Sequence, residues 1–223
     1  MKVSSDACVF GGWVAALQEA TVEANQKMLD IGAGTGLLSI MLAQKFTQAR
    51  ILGIEIDART ATQATGNALT SPWYDRIEIW CEDIRSLNSR KKFDLIVSNP
   101  PFYEGDLQSP NTEKNSAHHD ASLRFDELIV SIDRHLRTGG VGYLLLPIKK
   151  LDARISALAV AGLFTHRIAI LHHAPTHPAI RGMIQVKKVR ADEVVEERID
   201  LRKQNDEYTD QVKSMLRDYY LAF

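Results

Sequence analysis

Mostly apolar runs alternate along the chain with segments whose apolar residues recur every three or four positions. The apolar runs are Met28–Ile31, Ile51–Ile56, Ile77–Cys81, Phe93–Ser98 and Val141–Pro147. The helical spacing occurs in Leu37–Phe46, Ala58–Leu69 and Leu123–Leu136. Because continuous apolar strands are typical of a parallel sheet covered on both faces, the pattern predicts an α/β fold with a doubly wound, mostly parallel sheet.

The last third of the chain adds two strands and a helix to this prediction. Strands are expected near Arg167–Leu171 and Gly182–Val189, separated by a turn-rich stretch, so that they form an antiparallel edge. The predicted sheet therefore has seven strands. A charged segment from Arg198 leads into a helical stripe: Tyr208, Val212, Met215, Leu216 and Tyr219. We expect residues 1–223 to form a single domain.

Composition limits the partners of the chain. With 27 basic and 28 acidic residues among 223, the net charge is −1, so a polyanion must be held by a local basic surface. The clusters in question are Lys149-Lys150, Lys187-Lys188 with Arg190, and Arg202-Lys203. No apolar stretch approaches the ~18 residues of a spanning helix, and no signal pattern is seen, so we expect a cytoplasmic protein. Cys8 and Cys81 have no metal-ligand spacing and are expected to be buried free thiols.

A rigid group of hydrogen-bond acceptors is expected where the fourth apolar run ends. The run is followed by Asn99-Pro100-Pro101-Phe102, and the two prolines fix φ and carry no N–H. The Asn99 side-chain oxygen and the Pro100 carbonyl would accept the two hydrogens of a planar amine, and Phe102 would stack on its ring. The alternative is a simple strand-ending turn. The polar segment 103–120 is predicted to be a long loop on the substrate side.

A glycine-rich turn joins the first strand to a helix. It carries Asp30, Gly32, Gly34 and Gly36, whose backbone can approach a ligand at a helix start with free N–H groups. Glu55 ends the second strand, where doubly wound folds bind ribose hydroxyls. The third glycine comes one residue too early for a dinucleotide fingerprint, which disfavours NAD. The nearby Asp57 has an alternative role as the cap of the following helix.

The spacing Asp-x-Gly-x-Gly-x-Gly resembles the first motif of class I methyltransferases, which bind S-adenosyl-L-methionine (AdoMet). Glu82-Asp83-Ile84 resembles their adenine-contacting acidic motif. By this resemblance, Gly32 and Gly34 line the methionine side of the cofactor, Glu55 binds the ribose and Asp83 binds the adenine amine. The cofactor-binding residues implied are Asp30, Gly32, Gly34, Gly36, Glu55 and Asp83.

The order of these motifs, ending in Asn99–Phe102, resembles the amino-group methyltransferases that share an N-P-P-[YF] motif. These act on adenine or guanine amines of RNA or DNA, or on the glutamine amide of peptide release factors. By this resemblance, Asn99, Pro100 and Phe102 of this chain would be catalytic, and Pro101 and Phe102 would contact the substrate. The chemistry needs no metal, since the sulfonium is an activated methyl donor.

Flanking segments are similar to the bacterial valine-tRNA adenine-N6-methyltransferase family, which modifies the adenosine at tRNA position 37. They are Met1–Asp6, Gly11–Trp13, Asn67–Trp73 and the tail 206–221. The resemblance implies methyl transfer from AdoMet to the N6 amine of an adenosine in tRNA. Three alternatives are a release-factor glutamine methyltransferase, an rRNA guanine-N2 methyltransferase and a non-catalytic RNA-binding protein of the same fold.

Overall fold

The computed structural model describes residues 4–18, 25–88, 90–100 and 123–222. Six helices lie in these ranges: α1 (Ser5–Leu17), α2 (Leu37–Lys45), α3 (Ala58–Leu69), α4 (Phe125–His135), α5 (Leu151–Val160) and α6 (Asp210–Leu216). The strands there are β1 (Lys27–Ile31), β2 (Arg50–Glu55), β3 (Ile77–Cys81), β4 (Phe93–Ser98), β5 (Leu136–Pro147), β6 (Phe164–His172), β7 (Ala179–Lys187) and β8 (Val195–Asp200). Within these ranges, no helix is both long enough and apolar enough to cross a membrane.

The strands form one sheet in the order β3-β2-β1-β4-β5-β7-β6-β8. Neighbours from β3 to β5 pair in parallel, and β8 pairs in parallel with β6. Strand β7 runs antiparallel to both of its neighbours, β5 and β6. The α/β class, the mostly parallel sheet and the antiparallel β6–β7 pair are therefore confirmed. The sheet has eight strands instead of the expected seven, and the reversed strand lies inside the sheet because β6 and β8 continue beyond it.

Strand β5 starts earlier than its apolar run suggested. It begins at Leu136, directly after α4, so Gly139 and Gly140 lie within the strand. Its register against β4 shifts between the pairs formed by Phe93 and Leu95, and Gly139 has a φ of 81° there. The glycine pair thus accommodates an irregular strand start, since a positive φ is accessible to glycine without strain.

Helices cover both faces of the sheet, with a buried apolar cluster on each side. Helix α1 belongs to one cluster and packs against α2 and α6 through two glycines. A Cβ added at Gly11 would lie 2.6 Å from the Met41 sulfur, and one at Gly12 would lie 2.7 Å from the Met215 carbonyl oxygen. The Gly11–Trp13 segment is therefore a close-packing surface between helices.

The two cysteines differ in exposure. Both are free thiols, as expected, and Cys8 is buried in α1. The prediction that Cys81 is buried is wrong, because it ends the edge strand β3 and is exposed.

Candidate active site

The glycine loop follows β1 and is attached to the end of β2. The N–H groups of Gly32 and Ala33 both donate to the Ile54 carbonyl, at 2.9 and 3.0 Å. Gly32, Gly34 and Gly36 have φ values of 73°, 58° and 79°, in the left-handed region. A Cβ at Gly32 would meet no atom within 4 Å, so backbone conformation rather than space requires glycine there.

Glu55 is the acceptor that organises this loop. Its Oε2 accepts the N–H of Gly34 at 2.9 Å, and its Oε1 accepts the N–H of Asp57 at 3.0 Å. Each carboxylate oxygen has a further lone pair, so the half-buried side chain can still accept hydroxyl hydrogens. Glu55 therefore supports the loop and keeps lone pairs for further hydrogen-bond donors.

Helix α3 is capped and attached to the same loop. Asp57 accepts hydrogen bonds from the Thr60 N–H at 2.8 Å and the Thr60 hydroxyl at 2.6 Å, so its capping role is confirmed. Asn67, in the third turn of the helix, donates from Nδ2 to the Thr35 carbonyl at 2.9 Å. This amide links the Asn67–Trp73 segment to the glycine loop.

Asp30 lies beneath the loop and is fully buried. Its Oδ2 accepts the Ser39 N–H at 3.2 Å and the Ser39 hydroxyl at 2.8 Å, while Oδ1 has no partner among the described residues. Burial raises the pKa of Asp30 to about 6, against the lowering effect of Ser39 and with a smaller contribution from the charge of Glu55. Asp30 thus holds the first turn of α2 in place behind the loop.

Asp83 follows β3 and is held by a residue that the sequence reasoning missed. Arg85 donates from Nε to both Asp83 oxygens, at 3.0 and 2.8 Å, and from Nη2 to Oδ2 at 2.6 Å. These hydrogen bonds hold the pKa of Asp83 below its usual range. Arg85 also donates from Nη1 to Glu127 in α4, at 3.1 Å. It therefore connects the acidic motif to the first turn of the helix that precedes β5.

The candidate acceptor motif leaves the sheet beside the glycine loop. Ile31 and Ser98 are register partners at the ends of β1 and β4, and the next residues are Gly32 and Asn99. The buried Ser98 hydroxyl donates to the Ile31 carbonyl at 2.8 Å, which fixes the two strand ends together. Asn99 is half-buried and Pro100 is buried. Pro101, Phe102 and the predicted loop 103–120 lie outside the described residues.

The basic clusters that are candidates for RNA contact are partly engaged within the protein. Lys188 bonds Asp133, Arg190 stacks over Phe164 and Lys203 pairs with Asp210. Arg202 stacks over Tyr208 and pairs with Asp206. Lys149 and Lys150 lie in a short 3-10 turn directly after β5, at the same edge as the glycine loop, and are exposed.

The described part of the site offers hydrogen-bonding groups and no assembled metal centre. In residues 4–18, 25–88, 90–100 and 123–222, no three His, Cys, Asp or Glu side chains lie together in a way that could hold a metal ion. This edge of the sheet carries the glycine loop after β1, the carboxylates of Glu55 and Asp83 at the ends of the neighbouring strands β2 and β3, and the Asn99 amide beside the glycine loop. This set can bind a nucleoside-containing ligand and place it near an amide acceptor.

Comparison with known proteins gives a family and a fold. The methyltransferase small domain family matches residues 13–146. The tRNA1(Val) (adenine(37)-N6)-methyltransferase of Dyadobacter fermentans is 37% identical over 226 residues, covering 100% of this chain and 92% of that protein. The protein of the same name from Bacteroides fragilis is 33% identical, covering 99% and 91%.

Solved structures share the fold at low sequence identity. A crystal structure described as a predicted O-methyltransferase from Agrobacterium tumefaciens has a TM-score of 0.69 and 18% identity, covering 96% of each chain. A putative class I S-adenosylmethionine-dependent methyltransferase from Listeria monocytogenes has a TM-score of 0.65 and 17% identity, covering 85% of this chain and 64% of that one.

Proposed function

The chain belongs to the tRNA1(Val) (adenine(37)-N6)-methyltransferase family, and we propose that it transfers a methyl group from AdoMet to the N6 amine of adenosine 37 in a valine tRNA. The observation that carries this proposal is the shared exit point of β1 and β4. Because Ile31 and Ser98 are register partners, the glycine loop and Asn99 begin side by side at one edge of the sheet. A cofactor on the loop and an amine at Asn99 would therefore meet.

The residues at this edge fit the parts of AdoMet. The glycine loop from Gly32 to Gly36 would lie against the methionine portion, with Asp30 holding the loop from beneath. Glu55 would accept the ribose hydroxyls, since it has lone pairs beyond those used by Gly34 and Asp57. Asp83, fixed and ionised by Arg85, would accept the adenine amine. The bound cofactor supplies a methyl group already activated by its sulfonium.

Asn99 and Pro100 would prepare the target amine. The lone pair of an exocyclic adenine amine is shared with the ring, which makes the nitrogen a poor nucleophile. Accepting its two hydrogens at the Asn99 side-chain oxygen and the Pro100 carbonyl directs that lone pair toward the methyl group. Holding the reacting atoms ~3–3.5 Å apart and in line supplies several kcal/mol of barrier reduction. The C–N bond would form as the bond between the methyl group and sulfur breaks, which would leave S-adenosylhomocysteine, and one amine proton would then pass to water.

The remaining motif residues would hold the base itself. Phe102 would stack on the adenine and Pro101 would shape the wall beside it. The target base must leave its loop stack to reach this position, as in other enzymes that modify bases. A tRNA substrate supports the proposal that the protein acts in the cytoplasm.

We also propose that residues 1–223 form one methyltransferase domain. In support, the single sheet includes strands from Lys27 to Asp200, and α1 and α6 pack together in one apolar cluster. The parts of the chain before β1 and after β8 therefore share a core.

The test uses purified protein and radiolabelled AdoMet with three acceptors. Unmodified total tRNA should be labelled, whereas rRNA and peptide release factor should not. The Asn99→Ala variant should bind AdoMet as the wild type does and label none of them. Label appearing only in release factor, or only in rRNA, would refute the tRNA assignment. Unchanged turnover by Asn99→Ala would refute the acceptor site.

A further inference from the structure

A second surface suited to a polyanion lies at the opposite edge of the sheet from the candidate active site. It is an open groove of about 550 Å³. Its lining includes the first residues of four parallel strands: Lys27 of β1, Arg50 of β2, Ile77 of β3 and Phe93 of β4. The strands have five or six residues, so the groove lies roughly 16–20 Å from the edge that carries Asn99.

The charge of the groove contrasts with that of the chain. The basic residues that line it are Lys27, Arg50, Arg76, Arg90, Lys91 and Lys92, and the acidic residues are Asp75 and Glu78. Six positive against two negative groups make the groove strongly basic, although the net charge of the whole chain is −1. The groove is therefore a local basic surface on a chain that has no overall excess of positive charge.

Some of these basic side chains make contacts within the protein, and others make none with the residues that the structure describes. The Arg76 guanidinium donates to carbonyl oxygens at the end of α2, and Lys91 lies 3.7 Å from the centroid of the Trp80 ring. By contrast, the exposed side chains of Lys27, Arg50 and Arg90 make no ion pair or hydrogen bond with any residue that the structure describes. These three charges remain available to a ligand.

Lys27 and Arg50 are also direct neighbours across the sheet. They are register partners at the start of β1 and β2, which lie about 4.8 Å apart in a sheet. Two like charges at this spacing repel each other. The exposed Asp75 in the same groove pairs with neither of them among the described residues. An anion bound between the two side chains would relieve the repulsion.

We propose that this groove binds the phosphate backbone of the tRNA substrate at a distance from the target base, an inference that rests on the proposed function and extends it. The row of cations supplies charge without a free stacking ring, which suits a backbone contact that positions RNA without reading sequence. A folded tRNA arm is longer than the distance between the two edges. The enzyme would thus hold the nucleotide at one edge and the body of the RNA at the other.

Binding of unmodified full-length valine tRNA, measured at several salt concentrations, tests this surface. The double variant K27Q/R50Q should weaken binding at least about fivefold at low salt and reduce the slope of log K against log salt by about 1–2, since each phosphate contact contributes ~0.7–0.9. The matched control K213Q/R217Q removes one Lys and one Arg from the region of α6 and should leave both quantities unchanged. Asp75→Asn should strengthen binding, which no folding defect would produce.

Methylation of an anticodon stem-loop fragment separates this inference from the proposed function. K27Q/R50Q should methylate the fragment as the wild type does, because the fragment does not reach the groove. Binding of full-length tRNA by K27Q/R50Q with wild-type affinity and salt slope would overturn the groove assignment. Equal weakening by K213Q/R217Q would also overturn it. A wild-type protein that methylates neither RNA would instead refute the proposed function, while the binding comparison would still decide on the groove.

Discussion

The backbone N–H of Gly34 donates to the Glu55 carboxylate at 2.9 Å, which joins the glycine loop after β1 to the end of β2. The other oxygen of the same carboxylate accepts the N–H of Asp57, the cap of α3. One side chain therefore sets the positions of the loop and of the next helix start. Any ligand that uses Glu55 meets a site whose backbone is already arranged.

Replacing this carboxylate by an amide should impair AdoMet binding. In Glu55→Gln, one acceptor oxygen becomes an NH2 group, which would face either the Gly34 or the Asp57 N–H as a second donor. We expect the Kd for AdoMet to rise about tenfold or more, because the loop loses a fixed contact. Isothermal titration calorimetry measures this, with Glu193→Gln in an exposed loop as the control. An unchanged Kd in Glu55→Gln would show that Glu55 is not part of the cofactor site.

Arg85 should act as a positioning residue for Asp83. In Arg85→Gln, the Asp83 carboxylate loses its guanidinium partner and its fixed orientation, so the Kd for AdoMet should rise about three- to tenfold, roughly 1 kcal/mol. The kcat at saturating AdoMet should remain near the wild-type value. Arg198→Gln provides a matched control, since Arg198 bonds Asp200 two residues away on β8. A fall in kcat with an unchanged Kd would contradict the positioning role.

Asp30 should make the stability of the protein depend on pH. Its pKa is raised to about 6 in the folded state, from 3.8, mainly by burial. The folded state therefore holds the proton more tightly than the unfolded state, and the free energy of unfolding falls as the pH rises from about 4 to about 6.

Asp30→Asn carries no ionisable group and should escape this loss. Relative to the wild type, it should gain about 2–3 kcal/mol in unfolding free energy between pH 4 and pH 7. Urea unfolding without AdoMet at pH 4, 5, 6 and 7 measures the difference. If the unfolding free energies of the two proteins changed with pH in the same way, burial would not destabilise the ionised form of Asp30.

The buried hydroxyl of Tyr143, in β5, should contribute to the stability of the protein. Tyr143 is 0% exposed, and its hydroxyl accepts hydrogen bonds from Gln18 at 2.8 Å and Gln185 at 2.7 Å. Tyr143→Phe would leave the two amide donors facing a ring edge, at a cost of about 1–3 kcal/mol. Tyr74→Phe, at a site that is 60% exposed, should change stability by less than ~0.5 kcal/mol. Equal melting temperatures for the two variants would contradict this account.

Those elements of the fold could be predicted whose burial produces a simple pattern of apolar and polar residues in the sequence. The parallel strands β1, β2 and β4 are mostly buried, so they appear as mostly apolar runs. Strand β8 was missed because it lies at the sheet edge, and only Ile199 in it is buried among charged residues. Helix α1 was missed for the opposite reason. Nine of its thirteen residues are buried, so it shows no alternation between apolar and polar faces.

The candidate site also contains some residues that local sequence patterns predict and others that they do not. The glycine loop, Glu55, Asp83 and Asn99 follow strand ends, and their spacing along the chain can be read directly. The contact of Arg85 with Glu127 joins residues 42 positions apart, which no local pattern reveals. The basic groove was missed because its basic residues come from the starts of β1 and β2 and from the separate segments that precede β3 and β4. No short stretch of sequence contains more than three of them.

Methyl transfer at Asn99 is tested by mass mapping of valine tRNA after incubation with AdoMet and either the wild type or Asn99→Ala. We expect one N6-methyladenosine, at position 37, with the wild type and none with Asn99→Ala, although both bind AdoMet. Methylation at another nucleotide or on another atom, or the same product from Asn99→Ala, would contradict this expectation.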